Sequence, residues 1–230
     1  MKYLSDKNSF GRYSDSEDSF DVLDELVEEE IEKFFIENDK LKQYDVEIER
    51  EVDPFIGSIW DWVATQTSVE IIPRSEWGAK SSTCRTSLKL PVAYAFIHHT
   101  AGSAPTTQSA EEAKMRAIQR YHQNDRGFCD IGYNFVIMPS GRIYEGRGWD
   151  LVGAATKGYN SKSLSFCWAG NHETSRPTTA SLDAGRALLN EAMNEGYLTL
   201  AFALRGHRDA ASTACPGRYL YAGLTKLDPR

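Results

Sequence analysis

Tyr94-Ala95-Phe96-Ile97-His98 is the stretch on which the fold turns. It is an apolar and aromatic run that closes on an imidazole. Too short for a helix, it reads as a buried strand. Working outward, helical and strand-like segments alternate. Residues 108–123 carry Ala110, Ala113, Ala117, Ile118 and Tyr121 and read as a helix. Residues 131–138 read as a strand. Pro139-Ser140-Gly141 is a turn, and 142–145 is the return strand of a hairpin. Residues 163–169 are a further central strand. Residues 178–196 form a helix stopped by Gly196. Residues 202–204 lead as a strand into Gly206-His207-Arg208, and Pro216 opens a last helix. This interleaving predicts one α/β domain, with a central mixed β-sheet flanked by helices.

The 230 residues are 41% hydrophobic and 26% charged, with a net charge of −7. No stretch approaches the roughly 18 apolar residues of a membrane span. The acidic balance argues against a general nucleic-acid binder. The net figure averages two unlike parts. Residues 1–54 hold 18 acidic and 7 basic residues, a net of −11, whereas 55–230 hold 15 and 19, a net of +4. The first part opens on polar, low-complexity sequence. Phe20, Leu23, Val27, Ile31, Phe34 and Phe35 then recur at helical spacing, predicting an amphipathic helix over about 19–42. We read 1–54 as an acidic, partly helical extension that could meet a protein partner, 55–70 as a linker and 71–230 as the domain. Trp60, Trp62 and Val63 form a patch able to dock the linker. No apolar signal core follows Met1, so the sequence as written shows no secretory leader.

Four cysteines, Cys84, Cys129, Cys167 and Cys215, include no CxxC pair. That removes zinc ribbons and thioredoxin motifs. His98 ends one strand, His207 follows another, and Cys215 comes eight residues later. Two imidazoles and a thiolate suit zinc with one position left open. Spacing alone leaves this beside the commoner reading, structural histidines and a buried thiol.

Several blocks stand in order along the chain: Ile72 to Ala79, Ile97-His98-His99-Thr100-Ala101-Gly102, Cys129-Asp130-Ile131-Gly132-Tyr133-Asn134-Phe135 and Tyr144-Glu145-Gly146-Arg147-Gly148-Trp149. Lys157-Gly158-Tyr159-Asn160, Gly206-His207-Arg208 and Thr213-Ala214-Cys215-Pro216-Gly217 follow. In these blocks the chain resembles the peptidoglycan recognition proteins, a branch of the zinc N-acetylmuramoyl-L-alanine amidases. Together the blocks span about two thirds of the chain; residues 1–70 are not covered. Some members are amidases and others bind without cutting, commonly because the thiolate ligand is replaced. Here it is Cys215. The resemblance therefore implies a zinc site in a surface groove, with His98, His207 and Cys215 as ligands and Tyr133 and Thr213 as catalytic neighbours. Such a zinc acidifies a water and polarises the lactyl–L-Ala amide. His99 is expected to face the other side of the strand.

The same resemblance implies a disulfide between Cys84 and Cys129. It places His122, Gly127, Phe128 and Arg147 at the substrate groove. Gly127 with Arg147 favours diaminopimelate-type peptidoglycan, whose extra carboxylate a guanidinium can clamp. Three departures stand out. Residues 103–112 hold no cysteine for a second bridge, Ala155 replaces a groove histidine, and the usual C-terminal Trp-Pro-His is missing. The expected function is a peptidoglycan amidase of innate, antibacterial immunity. The alternative is a non-catalytic peptidoglycan receptor or sensor that signals through its N-terminal segment. The family and the disulfide favour an extracellular place; the absent leader keeps an intracellular one open.

Overall fold

The computed structural model describes residues 69–230. The predicted helix at 19–42 and the patch at Trp60, Trp62 and Val63 lie outside them.

A six-stranded mixed sheet forms the centre, in the order β1-β4-β3-β5-β2-β6. The strands are β1 (Ile71–Ile72), β2 (Val92–His99), β3 (Phe135–Ile137), β4 (Ile143–Glu145), β5 (Ser163–Trp168) and β6 (Leu198–Gly206). Only the β3–β4 hairpin is antiparallel. Helix α1 (Gln108–Arg120) joins β2 to the hairpin and runs on into a π-turn at Tyr121–Asp125. Helix α2 (Thr179–Asn194) joins β5 to β6, and short helices α3 (Arg218–Tyr221) and α4 (Leu224–Leu227) close the chain. Thr107 and Thr178 cap α1 and α2, each hydroxyl accepting a first-turn amide hydrogen bond.

Registers explain which side chains share a face. Ile97, Phe166 and Phe135 are paired in sequence across β2, β5 and β3. With Ala95, Leu164 and Trp168 they pack against Leu188 and Leu189 of α2, Leu220 of α3 and Leu227 of α4. The next rung, His98, Cys167 and Val136, points to the opposite face. There Val136 and Cys167 join Trp77, Met115 of α1, Ile131 and Tyr144 in a second core. The first face is thus apolar along β2 as far as Ile97 and ends on His99, while on the second β2 carries His98. Asn134, fully buried, ties this region together. Its amide donates to the carbonyls of Gly148 and Leu151 at 2.8 and 2.9 Å, and its Oδ1 accepts from the Ser165 amide and hydroxyl.

Three departures from the sequence reading stand out among the element boundaries. The strand read at 131–138 contracts to β3; across 130–134 the backbone bonds irregularly, the Gly132 carbonyl accepting the Ala154 amide while the Gly132 amide donates to His122 Nδ1. The strand read at 202–204 lengthens to β6. The helix read as opening at Pro216 starts at Arg218, two residues later, and α4 follows it. The Cys84–Cys129 disulfide is present, with Cα atoms 5.2 Å apart, and the Thr83 amide donates to the Cys129 carbonyl at 3.0 Å. Among the described residues no helix is long and apolar enough to cross a membrane.

Candidate metal centre and groove

Parallel pairing of β2 with β6 brings the ends of two strands side by side. Ile97 pairs with Gly206, so His207 follows beside His98, and their rings lie 4.7 Å apart. Gly206 is glycine for a steric reason. A Cβ there would press into the Tyr221 ring at 2.6 Å and into Pro216 at 3.0 Å. The loop after β6 then folds back. Arg208 donates its amide to the Cys215 carbonyl at 2.9 Å, and the Cys215 amide donates to Thr213 Oγ1 at 3.2 Å. The Cys215 sulfur ends 3.7 Å from His98 Nδ1 and accepts the His99 amide at 3.4 Å. One donor atom each from His98, His207 and Cys215 lies within 4.8 Å of the other two.

The electrostatics suit cation binding. Burial, then the neighbouring His207 and His99, holds the His98 pKa well below its usual value, so the ring is a neutral lone-pair donor. Burial also lowers His207. The Cys215 thiol is pushed up to about 11 by burial, against the His99 amide and Arg208, which pull it down. A dication would displace that proton. His98 Nε2 sits 3.1 Å from Thr156 Oγ1. With Nε2–H donating to the hydroxyl, Nδ1 is left as the acceptor that faces the sulfur. Asn160 Oδ1 fixes Thr156 by accepting the amides of Ala155 and Thr156. Two imidazoles and a thiolate from three segments, with one imidazole pinned from behind, fit a tetrahedral metal with an open position.

The remaining residues singled out from the sequence fall into two groups. Tyr133 lies beside the cluster, its ring 5.5 Å from His98 and 5.4 Å from His122. Burial, then the thiols of Cys167 and Cys215, holds its phenol well above the usual range. Thr213 serves the cluster through its bond to the Cys215 amide. His122, Phe128, Gly127 and Arg147 build an adjoining wall. His122 Nδ1 accepts the Gly132 amide at 2.9 Å, leaving Nε2–H as a donor. Its pKa falls to about 4 through burial, with Arg147 and Arg126 adding to the effect. The Phe128 ring leans on it at 5.4 Å. Gly127 takes φ +68°, with open space where a side chain would stand. Arg147 is held by the carbonyls of Ile131 and Val152, each at 2.7 Å. Among the described residues it makes no ion pair, and part of its donor fork stays available.

His99 faces away, as the strand alternation requires, and its Nδ1 accepts the His172 amide at 3.1 Å. Cys167 is fully buried beside His98. Thr156 and Asn160 were not assigned roles from the sequence. Thr156 follows the Gly153-Ala154-Ala155 stretch directly, and a hydroxyl between two motif blocks was the available signal.

Comparison with known proteins places the chain in a family. Residues 88–218 match the N-acetylmuramoyl-L-alanine amidase family model. Peptidoglycan-recognition protein SC2 of Drosophila simulans is 42% identical over 153 residues, covering 66% of this chain and 83% of that protein. Peptidoglycan recognition protein 1 of Bos taurus is 38% identical over 159 residues, covering 69% and 84%. Among solved structures, peptidoglycan recognition protein-LE in complex with tracheal cytotoxin, a monomeric diaminopimelic acid-type peptidoglycan, aligns with a TM-score of 0.67. It is 38% identical over 68% of this chain and 92% of that one. A human recognition-protein domain in complex with a muramyl pentapeptide aligns at 0.66 with 39% identity, over 67% and 94%. By family model, by relatives and by fold, this chain belongs to the N-acetylmuramoyl-L-alanine amidase family, on the branch of the peptidoglycan recognition proteins.

Proposed function

We propose that the protein binds bacterial peptidoglycan and hydrolyses the amide between the lactyl group of N-acetylmuramic acid and L-alanine, with zinc held by His98, His207 and Cys215. The observation that carries this reading is the convergence of those three donors within 4.8 Å beside Tyr133. Zinc in such a set supplies an acidified water and a Lewis acid for the carbonyl. Around it, Tyr133 carries its proton at neutral pH, as a phenol does, and burial raises its pKa further, so its hydroxyl donates a hydrogen bond to the oxyanion as charge develops. Thr213 holds the Cys215 loop in place. His122 offers Nε2–H to the substrate, and Gly127 leaves room beside Phe128. Arg147, anchored on two carbonyls, clamps the extra carboxylate of a diaminopimelate stem, which makes that peptidoglycan type the preferred substrate. The disulfide and the relatives favour action outside the cell, in innate defence against bacteria.

The test couples zinc quantification to muropeptide digestion. Wild type is expected to hold about one zinc per chain and to release stem peptide. Cys215→Ser is expected to lose zinc and turnover while still binding muropeptide. Binding without turnover by zinc-loaded wild type would refute the enzyme and leave a receptor.

A further inference from the structure

Cys215 reaches the candidate metal centre on a loop that burial does not hold. Ala211, Ser212, Thr213 and Ala214 are exposed, and their side chains are small. Beyond Cys215, Pro216 and Gly217 are buried and fix the far end. Hydrogen bonds hold the near end. Among the described residues, both bonds from the turn His207–Asp209 to residues 213–215 come from Arg208. Its amide donates to the Cys215 carbonyl at 2.9 Å, and its Nη2 donates to the Ala214 carbonyl.

The guanidinium is itself gripped on several sides. It lies over the Tyr221 ring at 4.7 Å. Tyr221 donates its hydroxyl to Asp209 Oδ1 at 2.6 Å, and Asp209 Oδ2 accepts the Gly206 amide at 2.8 Å. The stacking ring is thus tied to the residue before His207. Beside it, Glu173 Oε2 stands 3.7 Å from Nη2 and accepts the Arg218 amide at 2.9 Å. Nε–H, by contrast, is buried without an acceptor among the described residues. A buried donor left unpaired is disfavoured, so the pose is kept by the contacts of Nη2 and of the planar face. Stacking on a ring while donating from the edge is a task for arginine, and a lysine ammonium does not reproduce it.

Arg208 adjoins His207 in sequence and bonds Ala214 and Cys215 in space. One residue therefore sets the placement of two of the three donors that meet within 4.8 Å. The other contact on the sulfur, the His99 amide at 3.4 Å, comes from β2. A thiol on an unclamped loop would have to be ordered as a metal binds, and that ordering would subtract from affinity.

We propose that Arg208 is the positioning residue of this centre: it clamps the Cys215 loop to the His207 turn, so that the thiol already stands in the donor set of the metal-free protein. The role rests on the metal reading of His98, His207 and Cys215 and deepens it. It does not depend on which bond is cut.

Two variants of the full-length protein test the clamp. Arg208→Lys keeps the charge and loses the fork; Arg208→Met keeps the stem on Tyr221 and loses both. In zinc-free protein, alkylation by iodoacetamide reports the Cys215 loop, because Cys167 is buried and Cys84 is bonded to Cys129. Alkylation is expected to quicken in both variants, with the denaturant midpoint of the zinc-free protein near that of wild type. Competition against a chelator should show zinc affinity lower by about 10- to 100-fold, and the sulfur-to-metal absorption of cobalt-loaded protein should weaken. Wild-type alkylation and affinity in Arg208→Lys would overturn the clamp, since charge alone would then suffice. A midpoint that falls in step with affinity would also overturn it, by making the loss one of folding. The amidase reading fails separately: zinc-loaded wild type that releases no stem peptide refutes the enzyme and leaves the clamp. If wild type takes up no zinc while alkylation still quickens in the variants, the metal reading falls and the hold on the thiol stands.

Discussion

The Nε2 of His98 hydrogen-bonds the hydroxyl of Thr156 at 3.1 Å across 58 residues of sequence. That bond would leave Nδ1 as the ring nitrogen free to hold a metal. Thr156→Val keeps the shape of the side chain and removes the oxygen. Loss of such an outer partner typically costs about 10- to 100-fold in metal affinity. Competition against a zinc chelator should show a drop of that order with an unchanged far-ultraviolet spectrum. An affinity equal to wild type would mean the ring is held by packing alone.

Tyr133→Phe separates catalysis from recognition. The ring contacts with His98 and His122 survive, and only the hydroxyl goes. Removing one oxyanion donor costs about 100- to 1,000-fold in kcat. KM for muropeptide should move little. A loss confined to KM would reassign Tyr133 to binding.

Arg147→Lys keeps the charge but not the fork. It should lower kcat/KM for diaminopimelate-type muropeptide about tenfold or more and leave lysine-type muropeptide nearly unaffected, narrowing the preference. Equal loss on both substrates would show that Arg147 acts only through the Ile131 and Val152 carbonyls it supports.

Gly185, in α2, sits against the indole of Trp168; an added Cβ would collide with Trp168 Cζ2. The same indole donates to the Ser181 carbonyl at 3.0 Å, so it has little room to turn. Helix propensity favours alanine over glycine by about 1 kcal/mol. Overpacking costs about 1–3 kcal/mol and prevails. Gly185→Ala should lower the midpoint of denaturation, and a rise would show that the Trp168 face yields.

All five histidines are held below their usual pKa with burial as the leading cause, His99 and His122 at about 4. The unfolded chain binds protons near pH 6.5 that the folded chain refuses. Their contribution is therefore complete above that pH and declines as pH falls from about 6.5 through 4. Denaturant midpoints of zinc-free protein at pH 7, 5 and 4 should fall in that order. A flat series would show that the imidazoles protonate without opening the fold.

The sequence reading succeeded where burial is continuous. Strand β5 is buried at every residue, and β2 over its last five, so their apolar runs stood out. It failed where tertiary contacts override local pattern. The opening of β6 includes Leu200, 75% exposed, which breaks any alternation. The π-turn at Tyr121–Asp125 depends on a later segment, since the Phe128 amide donates to the His122 carbonyl. The residues alone left His98, His207 and Cys215 as one of two open readings, and the family resemblance favoured the metal set. Sheet order puts His98 and His207 side by side, and no spacing in the chain encodes that. Thr156 escaped because a loop threonine gains its meaning from the imidazole it meets.

The Cys84–Cys129 bridge has a further consequence. It anchors the segment just after Gly127 and Phe128, whereas His98 and His207 are carried by the ends of β2 and β6. A reducing environment would cut the anchor of the recognition wall and leave the metal donors standing. Chemistry and selectivity therefore answer to different surroundings. On the proposed reading, the oxidised protein is the form that discriminates between substrates. In a thiol-rich interior the same chain would keep its reactive centre but grip its substrate less firmly.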